Sequence, residues 1–305
     1  MSAPKPVIEI DHLAYAYGSS EAVHDLSLSV APGRCYGLFG RNGAGKTTTM
    51  KCLLGLLRPR SGRVRLFGLD PVADEVEVKR RLAYVPDQVA FYPWMTIRET
   101  LDYLASFRPH WNRDVERGLL ERFQLDPGQR AAALSKGQRT QVALVAAVSP
   151  EPELLLLDEP TSGLDPIVRR EFIETVIGAY QEGDPSRRTI LVSTHLISEF
   201  EGLIDEFMIV DRGRSVMHME ADAARERFLR LRARLPGAAP AAGWGPVLRA
   251  RQEGRDVELL VDGNGAEAAG MLRAAGAESV TSESLTLEEV FVAAMQAPRP
   301  EQEAK

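Results

Sequence analysis

The stretch that decides the fold of this chain is residues 40–48, Gly-Arg-Asn-Gly-Ala-Gly-Lys-Thr-Thr. It satisfies the phosphate-binding pattern G-x-x-x-x-G-K-[ST], which joins a buried strand to a helix. Residues 34–39 form a short run typical of such a strand. Apolar residues then recur at helical spacing from Lys46 to Leu57, and Pro59 interrupts the pattern. The stretch therefore predicts a nucleoside triphosphate site in an α/β domain.

Each residue type in this stretch suits a polyanionic phosphate. The glycines let backbone N–H groups turn inward, and the positive end of the following helix adds to their attraction for the anion. We expect Lys46 to reach the β and γ phosphates and the Thr47 hydroxyl to bind Mg²⁺. The other predicted contacts to ATP are Asn42, Gly43, Ala44, Gly45 and Thr48. On this pattern alone, an ordinary glycine-rich turn before a helix stays open as the alternative.

The length and amino-acid composition of the chain limit the classes of function that it can have. The 305 residues give room for one large and one small domain, and a hydrophobic content of 44% is ordinary for a chain with a proper core. The net charge of −6 argues against a broad nucleic-acid surface, so no nucleic-acid partner is expected. Cys35 and Cys52 are the only cysteines, and we interpret both as small core residues.

No membrane or export segment is indicated. The N-terminus lacks the pattern of a signal peptide, and the longest apolar runs, 142–148 and 154–157, fall far short of the ~20 residues that span a bilayer. If the protein works at a membrane, a partner must hold it there.

Strands alternate with helices over residues 1–220, which predicts an α/β domain with a mixed, largely parallel sheet. Residues 87–150 are mostly helical and are interpreted as a helical subdomain. Within it, Thr96 and Glu99 form a capping box and Ser135 is a good N-cap residue.

The amino-acid composition of the chain changes after residue 220. Residues 221–235 are Arg-rich and are predicted to be helical, and 236–246 form an Ala/Gly/Pro linker. Residues 247–296 predict a small accessory α+β domain, and 297–305 are predicted to be disordered.

A second nucleotide-binding feature is a run of leucines at 154–157 followed by Asp158 and Glu159. This run predicts a buried parallel strand that ends at the nucleotide site. We expect Asp158 to bind Mg²⁺ and Glu159 to orient or deprotonate an attacking water. Taken singly, such acids would more often mark a strand that meets solvent. Downstream of a phosphate loop, the site is the better interpretation.

Taken together, these motifs resemble those of an ABC-transporter ATPase subunit. Residues 134–138, Leu-Ser-Lys-Gly-Gln, resemble the family signature Leu-Ser-Gly-Gly-Gln; residues 162–165, Ser-Gly-Leu-Asp, match its D-loop; and His195 matches its switch histidine. The motifs follow the family's order over about residues 7–219. The resemblance implies the P-loop ABC ATPase fold, with ATP and Mg²⁺ bound.

The same resemblance implies site roles. Glu159 and His195 would be catalytic, with His195 as a neutral donor that senses the γ phosphate. Tyr17 would stack on adenine, and Tyr15 is the alternative residue for that role. The signature residues would bind the γ phosphate of nucleotide held by an opposite subunit; these are Ser135, Gly137 and Gln138. One chain carries the phosphate loop and the signature on different surfaces, so a homodimer or a heterodimer with a related ATPase subunit is implied.

The chain departs from the family pattern at two places. Lys136 replaces the first signature glycine, which predicts reduced flexibility rather than loss of function. At the position of the Q-loop glutamine the chain has Asp87, with Gln88 next to it. We assign Asp87 to the metal because a carboxylate still binds Mg²⁺ through oxygen.

The resemblance also implies a partner. In the family, the region of residues 91–95, Phe-Tyr-Pro-Trp-Met, receives a short helix of an integral membrane permease subunit, although so aromatic a cluster would otherwise be core. Asp165-Pro166 with Arg169-Arg170, and segment 285–291, resemble the ABC-2 branch. This implies that the ATPase lies at the cytoplasmic face of the cell membrane and powers export of a peptide, antibiotic or lipid-like substrate. The alternatives are a soluble, non-transport ABC ATPase, regulatory or nucleic-acid-linked, and an importer ATPase.

Overall fold

The computed structural model describes residues 5–181, 188–237, 244 and 247–296. Cα proximity divides the chain into two compact units, Met1–Ser215 and Val216–Lys305. The strands that begin in the first unit are β1 (Ile8–Tyr17), β2 (Ser20–Val30), β3 (Cys35–Phe39), β4 (Ser61–Leu66), β5 (Leu82–Val85), β6 (Leu154–Asp158), β7 (Thr189–Thr194), β8 (Glu206–Asp211) and β9 (Arg214–Glu220). Its helices are α1 (Lys46–Leu53), α2 (Glu75–Arg81), α3 (Ile97–Ala105), α4 (Arg113–Arg122), α5 (Lys136–Val148), α6 (Pro166–Gln181) and α7 (Ile197–Phe200).

A six-stranded sheet in the order β5-β6-β7-β3-β8-β9 forms the centre of this architecture. β3 pairs in parallel with β7 and β8, and β6 pairs in parallel with β5 and β7. Every residue of β3, β6 and β7 is buried, as expected for parallel strands covered on both faces. The predicted mixed, largely parallel sheet is confirmed. Its order places the ends of β3, β6 and β7 side by side.

A second sheet, antiparallel and in the order β2-β1-β4, contributes to the same core. Its strands alternate between buried and exposed residues, because one face packs inward. The core they share with the central sheet includes Ile8, Leu26 and Val64.

Two helices of the 87–150 region, α3 and α5, begin where the caps were predicted. Thr96 starts α3 in a capping box with Glu99, and Ser135 starts α5 in a second box with Gln138. α1 ends at Leu53, before the predicted end at 57, because the chain turns at Gly55 with φ +69°.

One buried acid joins α3 to α4. Glu116 is 1% exposed and accepts hydrogen bonds from Trp111 Nε1, Arg98 and Arg113. Burial by itself raises the pKa of Glu116, but these donors and their charges outweigh it and lower that pKa on balance. The ionised carboxylate therefore stabilises this pair of helices.

The second unit contains a four-stranded antiparallel sheet in the order β11-β12-β10-β13. Its strands are β10 (Phe228–Arg234), β11 (Arg249–Glu253), β12 (Asp256–Asp262) and β13 (Val280–Ser284), and its helices are α8 (Ala221–Arg227), α9 (Gly265–Ala274) and α10 (Leu287–Gln296). α9 packs on the sheet over a core that includes Leu231, Leu259 and Leu272. An α+β unit was expected here.

The predicted helix over residues 221–235 is wrong in its second half. The helix ends at Arg227, and β10 lies between β12 and β13 in the sheet. From Leu229 to Leu235 apolar residues alternate with arginines, and the strand buries Leu231 and Ala233 while Arg232 and Arg234 face solvent.

The accessory unit therefore begins well before residue 247. Trp244, which falls in the predicted linker, is buried in the core of this unit. The rest of that linker after residue 237, and the predicted tail 297–305, lie outside the described residues.

Candidate functional site

The turn between β3 and α1 has the backbone that the glycines predicted. Gly43 and Gly45 have φ values of +81° and +106°, which L-residues rarely adopt. A Cβ atom on Gly45 would lie 2.5 Å from the carbonyl oxygen of Ala22. The loop therefore requires glycine, and its backbone curls around the start of α1.

Lys46 is the first residue of α1 and is only 5% exposed. Its Nζ donates to the Gly40 carbonyl oxygen at 2.6 Å and to the Arg41 carbonyl oxygen at 3.2 Å. It also lies 2.7 Å from Glu159 Oε1, and that carboxylate is 10% exposed. The lysine of the loop and the acid after β6 therefore form a nearly buried ion pair.

Glu159 stands directly after β6 with φ +46°, a left-handed conformation that is rare for a residue with a side chain. Because β6 and β7 are adjacent and parallel, His195 at the end of β7 lies beside it. His195 Nδ1 is 2.7 Å from Glu159 Oε2. The carboxylate thus contacts Lys46 through one oxygen and His195 through the other.

Asp158, the last residue of β6, is 1% exposed. Thr47 Oγ1 donates to its Oδ1 at 3.2 Å, the Ser193 hydroxyl donates to the same oxygen, and the Tyr84 hydroxyl donates to Oδ2 at 3.4 Å. Burial raises the pKa of Asp158, and the nearby charge of Glu159 adds to this, while the hydroxyl donors oppose it. Two of these donors, Ser193 and Tyr84, were not among the predicted site residues.

An open cleft of about 390 Å³ brings most of the predicted residues together. It is lined by Tyr17, Ala22, Asn42, Gly43, Ala44, Gly45, Lys46, Thr47, Thr48, Asp87, Glu159, Ser162 and His195. Ala22 and Ser162 were not predicted as ligands.

The structure distinguishes two pairs of competing residues at this cleft. Tyr17 is 49% exposed and lines it, whereas Tyr15 packs against the core with its ring 4.9 Å from that of Tyr17. Asp87 lines the cleft, whereas Gln88 is exposed and is not part of its lining.

The predicted signature residues lie elsewhere in the described structure. Ser135 Oγ accepts from the Gln138 backbone N–H at 3.2 Å, and Gln138 Oε1 accepts from the Ser135 backbone N–H at 3.0 Å. A Cβ on Gly137 would lie 3.3 Å from Val168 Cγ1, on α6. These residues form the start of α5 and do not line the cleft.

Comparison with known proteins is consistent with this geometry. Residues 23–162 match the family model described as ABC transporter. The chain is 34% identical over 223 residues to the bacitracin transport ATP-binding protein BcrA of Bacillus licheniformis, which covers 72% of each chain. The chain belongs to the ABC transporter ATP-binding proteins.

Two further relatives agree. Over 219 residues, 70% of each chain, the protein is 36% identical to the Nod factor export ATP-binding protein I of Paraburkholderia xenovorans (strain LB400). A solved structure of an ATP binding subunit of an ABC transporter matches with a TM-score of 0.65 and 31% identity, over 72% of this chain and 92% of that one.

As an ABC transporter ATP-binding protein, this chain binds nucleotide and is an ATPase, and such subunits work with membrane permease components. Its donor set suits a magnesium ion, since Thr47, Asp158 and Asp87 offer only oxygen atoms. In the described part of the chain, no helix combines the length and apolar character needed to cross a bilayer.

Proposed function

We propose that this ATPase uses Mg²⁺ and hydrolyses ATP in the cleft between α1 and the ends of β6 and β7. The observation that carries the proposal is the carboxylate of Glu159, which stands between Lys46 at 2.7 Å and His195 at 2.7 Å. Lys46 and the loop N–H groups hold the phosphates, while Thr47 and Asp158 hold the metal, with Asp87 beside them. Tyr17 offers its exposed ring to adenine.

In this scheme Glu159 accepts a proton from the water that attacks the γ phosphorus, and the products are ADP and phosphate. His195 hydrogen-bonds Glu159 and orients it. The magnesium ion would neutralise charge on the phosphates. In the nucleotide-free structure the carboxylate is 10% exposed and contacts Lys46 and His195, and the His195 contact is the one that orients it once a triphosphate takes Lys46.

A complete site requires two subunits. Ser135, Gly137 and Gln138 lie outside the cleft, at the start of α5, where the helix dipole attracts an anion. We propose that they bind the γ phosphate of nucleotide held by an opposite subunit, in a homodimer or in a heterodimer with a related ATPase subunit. ATP would close the dimer and hydrolysis would release it.

An exposed aromatic surface supports a permease contact. It consists of Tyr92, Trp94, Tyr103 and Phe107, whose exposed fractions are 48, 65, 41 and 67%. Successive ring centroids lie 5.0 to 6.0 Å apart, so the four rings form one continuous patch. Exposed apolar patches of this kind mark interaction sites, and a helix laid on them buries the rings. We propose that a helix of an integral membrane permease binds here.

The permease would be separately encoded and of the ABC-2 type, with the ATPase at the cytoplasmic face of the cell membrane. The named relatives serve bacitracin transport and Nod factor export. By analogy, we propose export of a peptide, antibiotic or lipid-like substrate.

The test is an affinity pull-down of the Glu159→Gln variant from detergent-solubilised membranes of the native host, with and without ATP. We expect a multispanning permease to co-purify, and its sequence will narrow the substrate. Recovery of soluble partners or nucleic acid alone would reject the transport role in favour of a non-transport ABC ATPase.

A further inference from the structure

The loop 162–165 connects the catalytic acid to helix α6. Ser162 N donates to the carbonyl oxygen of Glu159 at 3.1 Å, and Leu164 N donates to that of Thr161 at 3.2 Å. Asp165 then accepts from the backbone N–H groups of α6's first turn. Two successive tight turns therefore link Glu159 to the helix, and a displacement of the loop acts on the residue that carries the catalytic carboxylate.

A cation holds this loop on each side. Lys136, the first residue of α5, donates from Nζ to the Ser162 carbonyl oxygen at 2.6 Å. Arg169, in the first turns of α6, donates from its guanidinium to the Leu164 carbonyl oxygen at 3.1 Å. Charged donors make stronger hydrogen bonds than neutral ones. The outward-facing carbonyl groups of the loop are thus held from α5 and from α6.

Arg169 also connects the loop to the histidine. Its second guanidinium nitrogen lies 2.6 Å from Oε1 of Glu199, whose side chain is 11% exposed. Glu199 belongs to α7, four residues after His195. Because His195 contacts Glu159, a closed path of contacts runs from the catalytic acid through the loop, Arg169 and α7 back to the same acid.

We infer that Lys136 and Arg169 are positioning residues that hold loop 162–165 and, through it, the orientation of Glu159 and His195. The inference rests on the catalytic roles proposed above for those two residues. It gives a function to the lysine that replaces a signature glycine. Lys136 links the start of α5, the proposed contact to the opposite subunit's nucleotide, to the hydrolytic residues of its own subunit.

A direct role of Lys136 in phosphate binding is the competing explanation. Within the described structure its ammonium group lies on the Ser162 carbonyl oxygen, and Lys136 does not line the cleft. A phosphate ligand would change the KM for ATP, whereas a positioning residue changes kcat. The two explanations therefore separate in steady-state kinetics.

The experiment uses the full-length Lys136→Met, Lys136→Arg and Arg169→Met variants and the Lys136→Met/Arg169→Met double variant. Arg170→Met is the matched control on α6, because Arg170 is 82% exposed and pairs only with Glu174 among its described contacts. Lys79→Met is the control for loss of a surface lysine, since Lys79 forms an exposed pair with Glu75 on α2. ATPase kinetics and amide hydrogen exchange of residues 161–165 are measured for each.

We expect Lys136→Met and Arg169→Met to lower kcat by about ten-fold, with the KM for ATP within about two-fold of wild type. Lys136→Arg keeps a charged donor and retains most of the rate. The double variant loses less than the product of the two single losses, because both side chains hold one loop. Amide exchange in 161–165 rises in the Met variants and stays unchanged in the controls.

Unchanged kcat and unchanged exchange in both Met variants would overturn the inference, as would a raised KM with normal kcat in Lys136→Met. If Arg169→Met does not fold, Lys136→Met and Glu199→Gln still provide both readouts. If the proposed function itself is wrong, the ATPase measurements differ from those expected above. In that case wild type does not hydrolyse ATP, or Glu159→Gln hydrolyses it at the wild-type rate.

Discussion

The ion pair between Lys46 and Glu159 makes one substitution informative about both stability and catalysis. Glu159→Gln keeps the shape of the side chain and removes its charge. Lys46 is 5% exposed, so in the nucleotide-free protein the variant leaves a nearly buried ammonium group without its carboxylate. Breaking a buried pair costs about 3–5 kcal/mol when the remaining charge has no other partner.

In this protein the free energy of unfolding should fall by less than about 3–5 kcal/mol. Lys46 keeps hydrogen bonds to the carbonyl oxygens of Gly40 and Arg41, and the glutamine still offers an amide oxygen. We therefore expect a loss of about 1–2 kcal/mol, which lowers Tm by about 2–8 °C for a domain of this size. A bound triphosphate returns negative charge to Lys46. The increase in Tm with Mg²⁺ and a non-hydrolysable ATP analogue should therefore be larger in the variant than in wild type.

Hydrolysis should fall by about a hundred-fold or more, because the general base is lost while the phosphate ligands remain. The assays are thermal unfolding with and without the analogue, phosphate release, and size-exclusion chromatography with Mg²⁺ and ATP, where the variant should persist as a closed dimer. Glu121→Gln, at an exposed position of α4, is the control. An unchanged nucleotide-free Tm would refute the ion-pair argument, and sustained wild-type turnover would refute the assigned role of Glu159.

Three further predictions concern other parts of the molecule. Asp158→Asn should abolish Mg²⁺-dependent hydrolysis without lowering Tm, since burial already disfavours that carboxylate; in wild type, the raised pKa of Asp158 means that more Mg²⁺ is needed for half-maximal activity as pH falls. Glu116→Gln should cost about 2–3 kcal/mol in denaturant unfolding. Because the folded pKa of Glu116 lies below its ordinary value of 4.5, wild type should lose this contribution only as pH falls below 4.5, and an equal loss at pH 7 and pH 3 would contradict the assignment. Trp94→Ala should leave Tm and the basal ATPase rate unchanged, since the ring is 65% exposed, and should reduce recovery of permease in the pull-down.

Local signals in the sequence predicted the core of the site because they are contiguous along the chain. The phosphate loop, the acids after β6 and the cap at Ser135 each depend on a few neighbouring residues, and the structure has the predicted local conformation at each. The parallel sheet also followed from sequence, since β6 consists of four leucines and Asp158, with Glu159 directly after it.

The site contacts that were not predicted from the sequence connect residues that are distant along the chain. Tyr84 and Ser193 reach Asp158 only because β5 and β7 flank β6, and a hydroxyl residue at the end of a strand carries no sequence mark of its neighbour. The Lys136 contact to Ser162 likewise joins residues that are 26 positions apart in the sequence. The strand β10 is a different case, because its sequence carries a two-residue alternation of apolar residues and arginines, which outweighs the helix propensity of arginine.

The Lys46–Glu159 pair also explains how a hydrolytic site can stay stable without substrate. Each of these charges is nearly buried, and either alone would destabilise the fold, so the nucleotide-free protein pairs them. A triphosphate competes for Lys46 and repels the carboxylate of Glu159. Glu159 is then in contact with His195 and with water. On this argument, part of the binding free energy of ATP is used to break the pair. The Glu159→Gln variant has no such pair to break, and it should therefore bind ATP at least as tightly as wild type while hydrolysing it far more slowly.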